Sequence, residues 1–85
     1  VEAIVKICQN RKLTHLDVSY CLRAVNDSLI QEAIVPLSGS LKALSVRCCP
    51  QLTNLSLKAL LPMGLKQLNV SGCPRITALK LIPAT

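Results

Sequence analysis

An α/β repeat fold, built of short parallel strands each followed by a helix, is what this sequence predicts, and three observations predict it. One phrase occurs three times: Leu13-Thr14-His15-Leu16-Asp17-Val18-Ser19-Tyr20-Cys21, Leu41-Lys42-Ala43-Leu44-Ser45-Val46-Arg47-Cys48-Cys49 and Leu65-Lys66-Gln67-Leu68-Asn69-Val70-Ser71-Gly72-Cys73, each reading L-x-x-L-x-V-x-x-C. The copies begin 28 and then 24 residues apart, and self-similarity at a period of about 20–50 residues marks a repeat architecture. Within each copy the fourth and sixth residues are aliphatic, a period of 2 that puts them on one face of a strand. Between copies the apolar spacing changes to the i, i+4 of a helix.

The elements follow in order. Glu2 to Gln9 carries Ala3, Ile4, Ile7 and Cys8 and reads as a leading helix. The first phrase is a strand, with β-branched Val18 suited to extended backbone and with Leu13 and Cys21 turning inward at its two ends. Asn26 or Asp27 then caps a helix whose inner face is Leu29/Ala33/Leu37 and Ile30/Ile34, closed by Pro36 and Gly39. The second phrase repeats the strand. Thr53 or Asn54 caps a shorter helix from about Leu55 to Leu61, ended by Pro62 and Gly64. The third phrase is the third strand. A competing register, Leu52-x-x-Leu55-x-Leu57 and Ile76-x-x-Leu79-x-Leu81, lacks cysteine at its ninth place, where Leu60 and Ala84 stand. The cysteine register is therefore preferred. One such unit cannot bury its aliphatic face alone, so the units should stack, with strands about 4.8 Å apart in a parallel sheet and helices on the outer, convex side.

Composition sets the limits. With 85 residues, 51% hydrophobic and 16% charged, the chain is too apolar for a disordered segment. It resembles a slice of a larger core more than a free-standing small domain. Tyr20 is the single aromatic, so the core is aliphatic. The chain opens on a helix and ends at Pro83-Ala84-Thr85 with no polar cap, which predicts that residues 1–85 are about three repeats plus a leading helix, cut from a longer array. No apolar run reaches the roughly 18 residues of a membrane span, and Val1 to Ile7 lacks a signal-peptide cleavage site. The net charge of +6 comes from basic residues scattered from Lys6 to Lys80, with Arg11-Lys12 the nearest approach to a cluster. No aromatic stands beside that pair for a base to stack on, so the charge reads as solvated surface, against nucleic acid.

The five cysteines are Cys8, Cys21, Cys48, Cys49 and Cys73. They form no C-x-x-C pair, and His15 is the only imidazole, which argues against zinc and any other metal. Their odd number, with three at one repeat position, argues against a disulfide framework and for buried thiols in a reducing, intracellular setting. Cys8 should end the leading helix in the same role. Cys48 and Cys49, adjacent on a strand, should point to opposite faces, leaving Cys48 as the exposed, reactive thiol. No cofactor motif is present. His15, Asp17 and Ser19 could be taken for a catalytic triad, but spacing of two is what any exposed strand face gives, and no glycine-rich oxyanion or phosphate loop accompanies it. The chain therefore reads as non-catalytic.

With its tails Cys21-Leu22-Arg23-Ala24-Val25-Asn26-Asp27, Cys49-Pro50-Gln51-Leu52-Thr53-Asn54 and Cys73-Pro74-Arg75-Ile76-Thr77-Ala78, the phrase resembles the cysteine-containing leucine-rich repeat. The approach Ile7-Cys8-Gln9-Asn10-Arg11-Lys12-Leu13 resembles that family's helix-end cysteine. Three departures stand out: Leu22 replaces the proline, Asp27 has no counterpart at Asn54 or Ala78, and the second unit is short. The resemblance implies a horseshoe-shaped, ribonuclease-inhibitor-like solenoid with parallel strands on the concave face and helices on the convex face. It also implies a protein-interaction module of the kind that forms the substrate-recruiting arm of F-box (SCF-type) ubiquitin ligase receptors. Association with the SCF adaptor would run through a separate F-box module, which is not visible in these residues. The alternative is a structural scaffold within a large ciliary or chromatin-associated assembly. Partner contacts are expected on the outward strand residues: His15, Asp17 and Ser19, then Ala43, Ser45 and Arg47, then Gln67, Asn69 and Ser71. Thr14, Lys42 and Lys66 lie along the rim where the strands begin.

Overall fold

A computed structural model of the chain describes residues 2–78. Leu79 and Leu81 of the competing register, and the closing Pro83-Ala84-Thr85, lie outside the described residues. Helix α1 (Glu2–Cys8) leads into β1 (His15–Asp17). Helix α2 (Asp27–Leu29) continues through a π turn at Ile30–Ile34 and a 3-10 turn at Val35–Leu37. Strand β2 (Ala43–Ser45) follows, then α3 (Asn54–Leu60) with a 3-10 turn at Leu61–Met63, then β3 (Gln67–Asn69).

The three strands sit where the three phrases place them and pair in parallel in the order β1-β2-β3. The registers are His15↔Ala43↔Gln67, Leu16↔Leu44↔Leu68 and Asp17↔Ser45↔Asn69, so equivalent positions of the phrase lie side by side. The cysteine register is the one adopted: Leu55 and Leu57 of the competing one belong to α3. The result is a mixed helix–strand structure with a small parallel sheet, compatible with a leucine-rich-repeat fragment. One aliphatic cluster joins the sheet to the helices, including Leu44 and Val46 from the second phrase, Ile30, Ile34 and Leu37 from the first helical segment, and Leu57 and Leu60 from α3. No helix among the described residues is long and apolar enough to cross a membrane.

Both helix starts use the expected chemistry. Asn26 caps α2, its Oδ1 accepting from the Leu29 N–H (2.9 Å), and Thr53 caps α3, its Oγ1 accepting from the Leu55 N–H (3.2 Å). The helix ends differ from expectation. Pro36 and Pro62 each sit inside a 3-10 turn rather than beyond the helix. Gly64 is a left-handed C-cap (φ 69°), whereas Gly39 lies exposed in an ordinary turn with no positive φ. Helix α1 buries only a portion of the face predicted for it. Cys8 is buried and Ile4 half-buried, but Ala3 and Ile7 are exposed, because the main neighbour of α1 is the single turn Ile30–Ile34.

Candidate interaction surface

The eighth residue of every phrase adopts left-handed backbone: Tyr20 (φ 64°), Cys48 (φ 56°) and Gly72 (φ 74°). This turn carries the chain off the strand, and it decides where the neighbouring side chains go. Regular parallel pairing would bring the N–H of the seventh residue to the valine carbonyl of the preceding strand. In the second and third phrases the turn diverts it to a side-chain oxygen, and in the first, on the edge strand β1, the same N–H also meets one. Ser19 N–H donates to Asp17 Oδ1 (2.9 Å), Arg47 N–H to Ser19 Oγ (3.1 Å) and Ser71 N–H to Asn69 Oδ1 (3.0 Å). Pairing resumes one residue later, Tyr20 N–H to the Arg47 carbonyl and Cys48 N–H to the Ser71 carbonyl, each 2.8 Å.

The ninth-place cysteines satisfy the carbonyls left over. Cys49 Sγ–H donates to the Val18 carbonyl (3.4 Å) and Cys73 Sγ–H to the Val46 carbonyl (3.1 Å). A buried carbonyl without a partner is costly, and a small apolar side chain with one weak donor fits the space. Burial pushes the Cys49 thiol up, and likewise Cys8, against the opposing charge of Arg11. All five thiols are free. Cys48 corrects the sequence reading: it lies in the turn rather than on a strand, and it is half-buried rather than exposed. A Cβ at Gly72 would come within 2.7 Å of its sulfur, so the Cys48 side chain occupies the space that this glycine leaves open.

A second set of bonds ties each unit to the next on the helical side. Thr53 N–H donates to Asp27 Oδ1 (3.0 Å), Thr53 Oγ1–H to Asp27 Oδ2 (2.7 Å), and the buried Ser56 hydroxyl to Asp27 Oδ1. Burial by itself would raise the Asp27 pKa, but the hydroxyls of Ser56 and Thr53 and their N–H groups together hold it below the ordinary carboxylate range. Asn54 has the same role in the following unit. Its Oδ1 accepts from the N–H groups of Thr77 (3.0 Å) and Ala78 (3.1 Å), and its Nδ2 donates to Thr77 Oγ1 (3.0 Å). Asp27 therefore has a counterpart in Asn54, which the sequence reading denied.

The expected surface residues divide by what they already bond. His15, Asp17, Gln67 and Asn69 are exposed on the strands and Ser45 is half-buried between them. Ser19, Arg47 and Ser71 lie just past the strands, in the turns. Ser19 Oγ and Ser45 Oγ are 2.9 Å apart, so these two hydroxyls bridge β1 to β2. Asp17 closes its turn onto Ser19, whose hydroxyl and N–H lower its pKa, with a lesser contribution from Arg47. The Arg47 guanidinium lies 5.9 Å from the centre of the Tyr20 ring, a cation–π pair across adjacent units. His15 Nδ1 faces Thr14 Oγ1 at 2.9 Å. Of the His15-Asp17-Ser19 trio, Asp17 and Ser19 are bonded to each other and His15 is bonded to Thr14. Between these groups the sheet is open, a shallow depression of about 570 Å³ floored by Ala43, Leu44 and Ser45.

A leucine-rich-repeat family model matches residues 9–21, the approach to the first phrase and the phrase itself. A leucine-rich-repeat motif suggests a protein-interaction module and protein partners, and the family is typically non-catalytic. Comparison with curated proteins gives no match, and comparison with solved structures gives none either.

Proposed function

We propose that this chain is a segment of a longer leucine-rich-repeat solenoid, a horseshoe whose open sheet face binds a protein partner through His15, Asp17, Ser19, Ser45, Arg47, Gln67, Asn69 and Ser71. The observation that carries the reading is the open face itself. Three strands in matched register present polar side chains around the small residues Ala43 and Ser45, while the opposite face packs Leu44 fully and Leu16 and Leu68 partly into the core shared with the helices. Large partner surfaces can approach such a sheet closely, and in-register repetition gives a regular ladder of contact points. The finer assignment, the substrate-recruiting arm of an F-box-type ubiquitin ligase receptor working inside the cell, rests on the resemblance of the cysteine-type repeat alone.

A photo-crosslinking residue placed at Ala43, on the open face, and another at Lys58, on α3, tests the surface in cells. A partner should crosslink at Ala43 and not at Lys58, and equal or reversed yields overturn the reading. Co-purification of the parent protein with an SCF adaptor supports the F-box assignment. Fixed-stoichiometry assembly without ligase subunits overturns it in favour of a scaffold.

A further inference from the structure

The charge of this chain is divided in a way that the net value hides. All four acids, Glu2, Asp17, Asp27 and Glu32, occur in the first 32 residues, where four bases balance them. From Ala33 onward there is no acid and there are six bases: Lys42, Arg47, Lys58, Lys66, Arg75 and Lys80. The whole excess of +6 thus belongs to the second and third units.

Three of these bases frame the open face. Lys66 N–H donates to the Lys42 carbonyl (2.8 Å), so the two lysines start neighbouring strands, about 4.8 Å apart, and both are exposed. Arg47 stands at the other end of β2, held over Tyr20. Arg47 is five residue steps along the chain from Lys42, roughly 16 Å at strand rise. Asp17 is the one acid on the strands, and it sits on β1, away from Lys66 but close enough to Arg47 to compete with a partner carboxylate there. Lys58 lies apart from this set, on the helical side beside Glu32.

Building on the open-face reading, we propose that the face over β2 and β3 docks an extended, acidic segment of a protein partner, with carboxylates at both of its ends to meet Lys42 and Lys66 on one side and Arg47 on the other. Charge complementarity of this kind governs partner choice and association rate more than raw affinity. Nucleic acid fits less well. Tyr20 is the single aromatic, so beside the cations there is one stacking platform at most and no succession of them for consecutive bases.

The test uses a labelled short peptide with glutamates at both ends and a glutamine version of it, titrated against the chain by fluorescence anisotropy. The glutamate peptide should bind about tenfold tighter, and the difference should shrink between roughly 50 and 200 mM salt as screening shortens. Lys42→Glu/Lys66→Glu should abolish the difference, and Lys58→Glu should leave it. Asp17→Asn should tighten the glutamate peptide further, since Asn69 shows that an amide closes the same turn. No glutamate binding, equal glutamine binding, equal loss in Lys58→Glu, or tighter binding of a single-stranded oligonucleotide at the same salt each overturns the inference. Ala43→Trp, which fills the open face, separates the two layers of argument. If it blocks both peptides while charge makes no difference, the acidic partner falls and the open face stands. If the glutamate peptide binds Ala43→Trp undiminished, the open-face reading falls with it.

Discussion

The chain travels from the end of one phrase to the start of the next twice, and the two journeys differ by four residues. Cys21 to Leu41 is the longer, Cys49 to Leu65 the shorter. The surplus is distributed among three sites. One extra residue lies in the approach, since Asn26 caps five residues past its cysteine and Thr53 caps four past its own. One lies in the helix, where Ile30–Ile34 forms a π turn with Val35 N–H bonded back to the Ile30 carbonyl, the usual way a helix absorbs a single inserted residue. Two lie in the return, where Ser38-Gly39-Ser40 does what Gly64 does alone. The longer return is anchored by Ser40, whose hydroxyl donates to the Leu13 carbonyl of the preceding unit (2.8 Å). The lesson is that strand register and inter-unit bonds are held fixed, and the connections stretch to keep them.

The largest expected effect comes from unequal clamps. Asp27 accepts bonds from Thr53 and the buried Ser56, whereas Asn54 serves the exposed Thr77. Asp27→Ala should cost about 2–3 kcal/mol and Asn54→Ala about 1 kcal/mol, read from urea midpoints, because charged acceptors and buried donors lose more. The folded pKa of Asp27 lies below its unfolded value. Its contribution is therefore complete above about pH 4 and disappears as pH falls through the folded value. Asp27→Asn should flatten that acid limb of the stability profile, and an unchanged slope would refute the clamp's charge. Next comes the turn file. Gly72→Ala combines left-handed backbone with the Cys48 sulfur 2.7 Å from the new Cβ, for a loss of about 1–2 kcal/mol. Adding Cys48→Ala should restore some of it, while Gly39→Ala, in open space without a positive φ, should be neutral within about 0.5 kcal/mol. The smallest effect separates the thiols. Cys49→Ala leaves the Val18 carbonyl without its donor and should cost about 1 kcal/mol or more. The half-buried Cys21, 3.8 Å from its own Ser19 carbonyl, should cost less on truncation. Equal thermal shifts for the two would contradict the role assigned to the thiol bond with the preceding unit's carbonyl.

The strands, their register and both capping pairs could be read from the sequence, because each depends on spacing within a few residues of Leu16, Leu44 and Leu68 or of Asn26 and Thr53. What escaped it depends on contacts made across a whole unit. Asn54 carries no local sign of equivalence to Asp27, since the partners of each lie 23 to 29 residues away. Gly72 hinted at left-handed backbone, but Tyr20 and Cys48 at the same place concealed the rule. Of the nine residues expected to face outward, six are exposed, and Ser19, Ala43 and Ser45 are half-buried. That Ser19 and Ser45 are engaged with each other, and Arg47 with Tyr20, was not legible.

The clamps have a consequence for how the chain comes apart. Thr53 is at once the cap of α3 and the partner of Asp27, so loosening either unit removes a bond from the other. Unfolding should then propagate along the row of units as a single cooperative event instead of fraying one segment at a time. In native-state hydrogen exchange, the amides of Thr53, Leu55 and Leu57 should open together with those of α2, on one shared free energy.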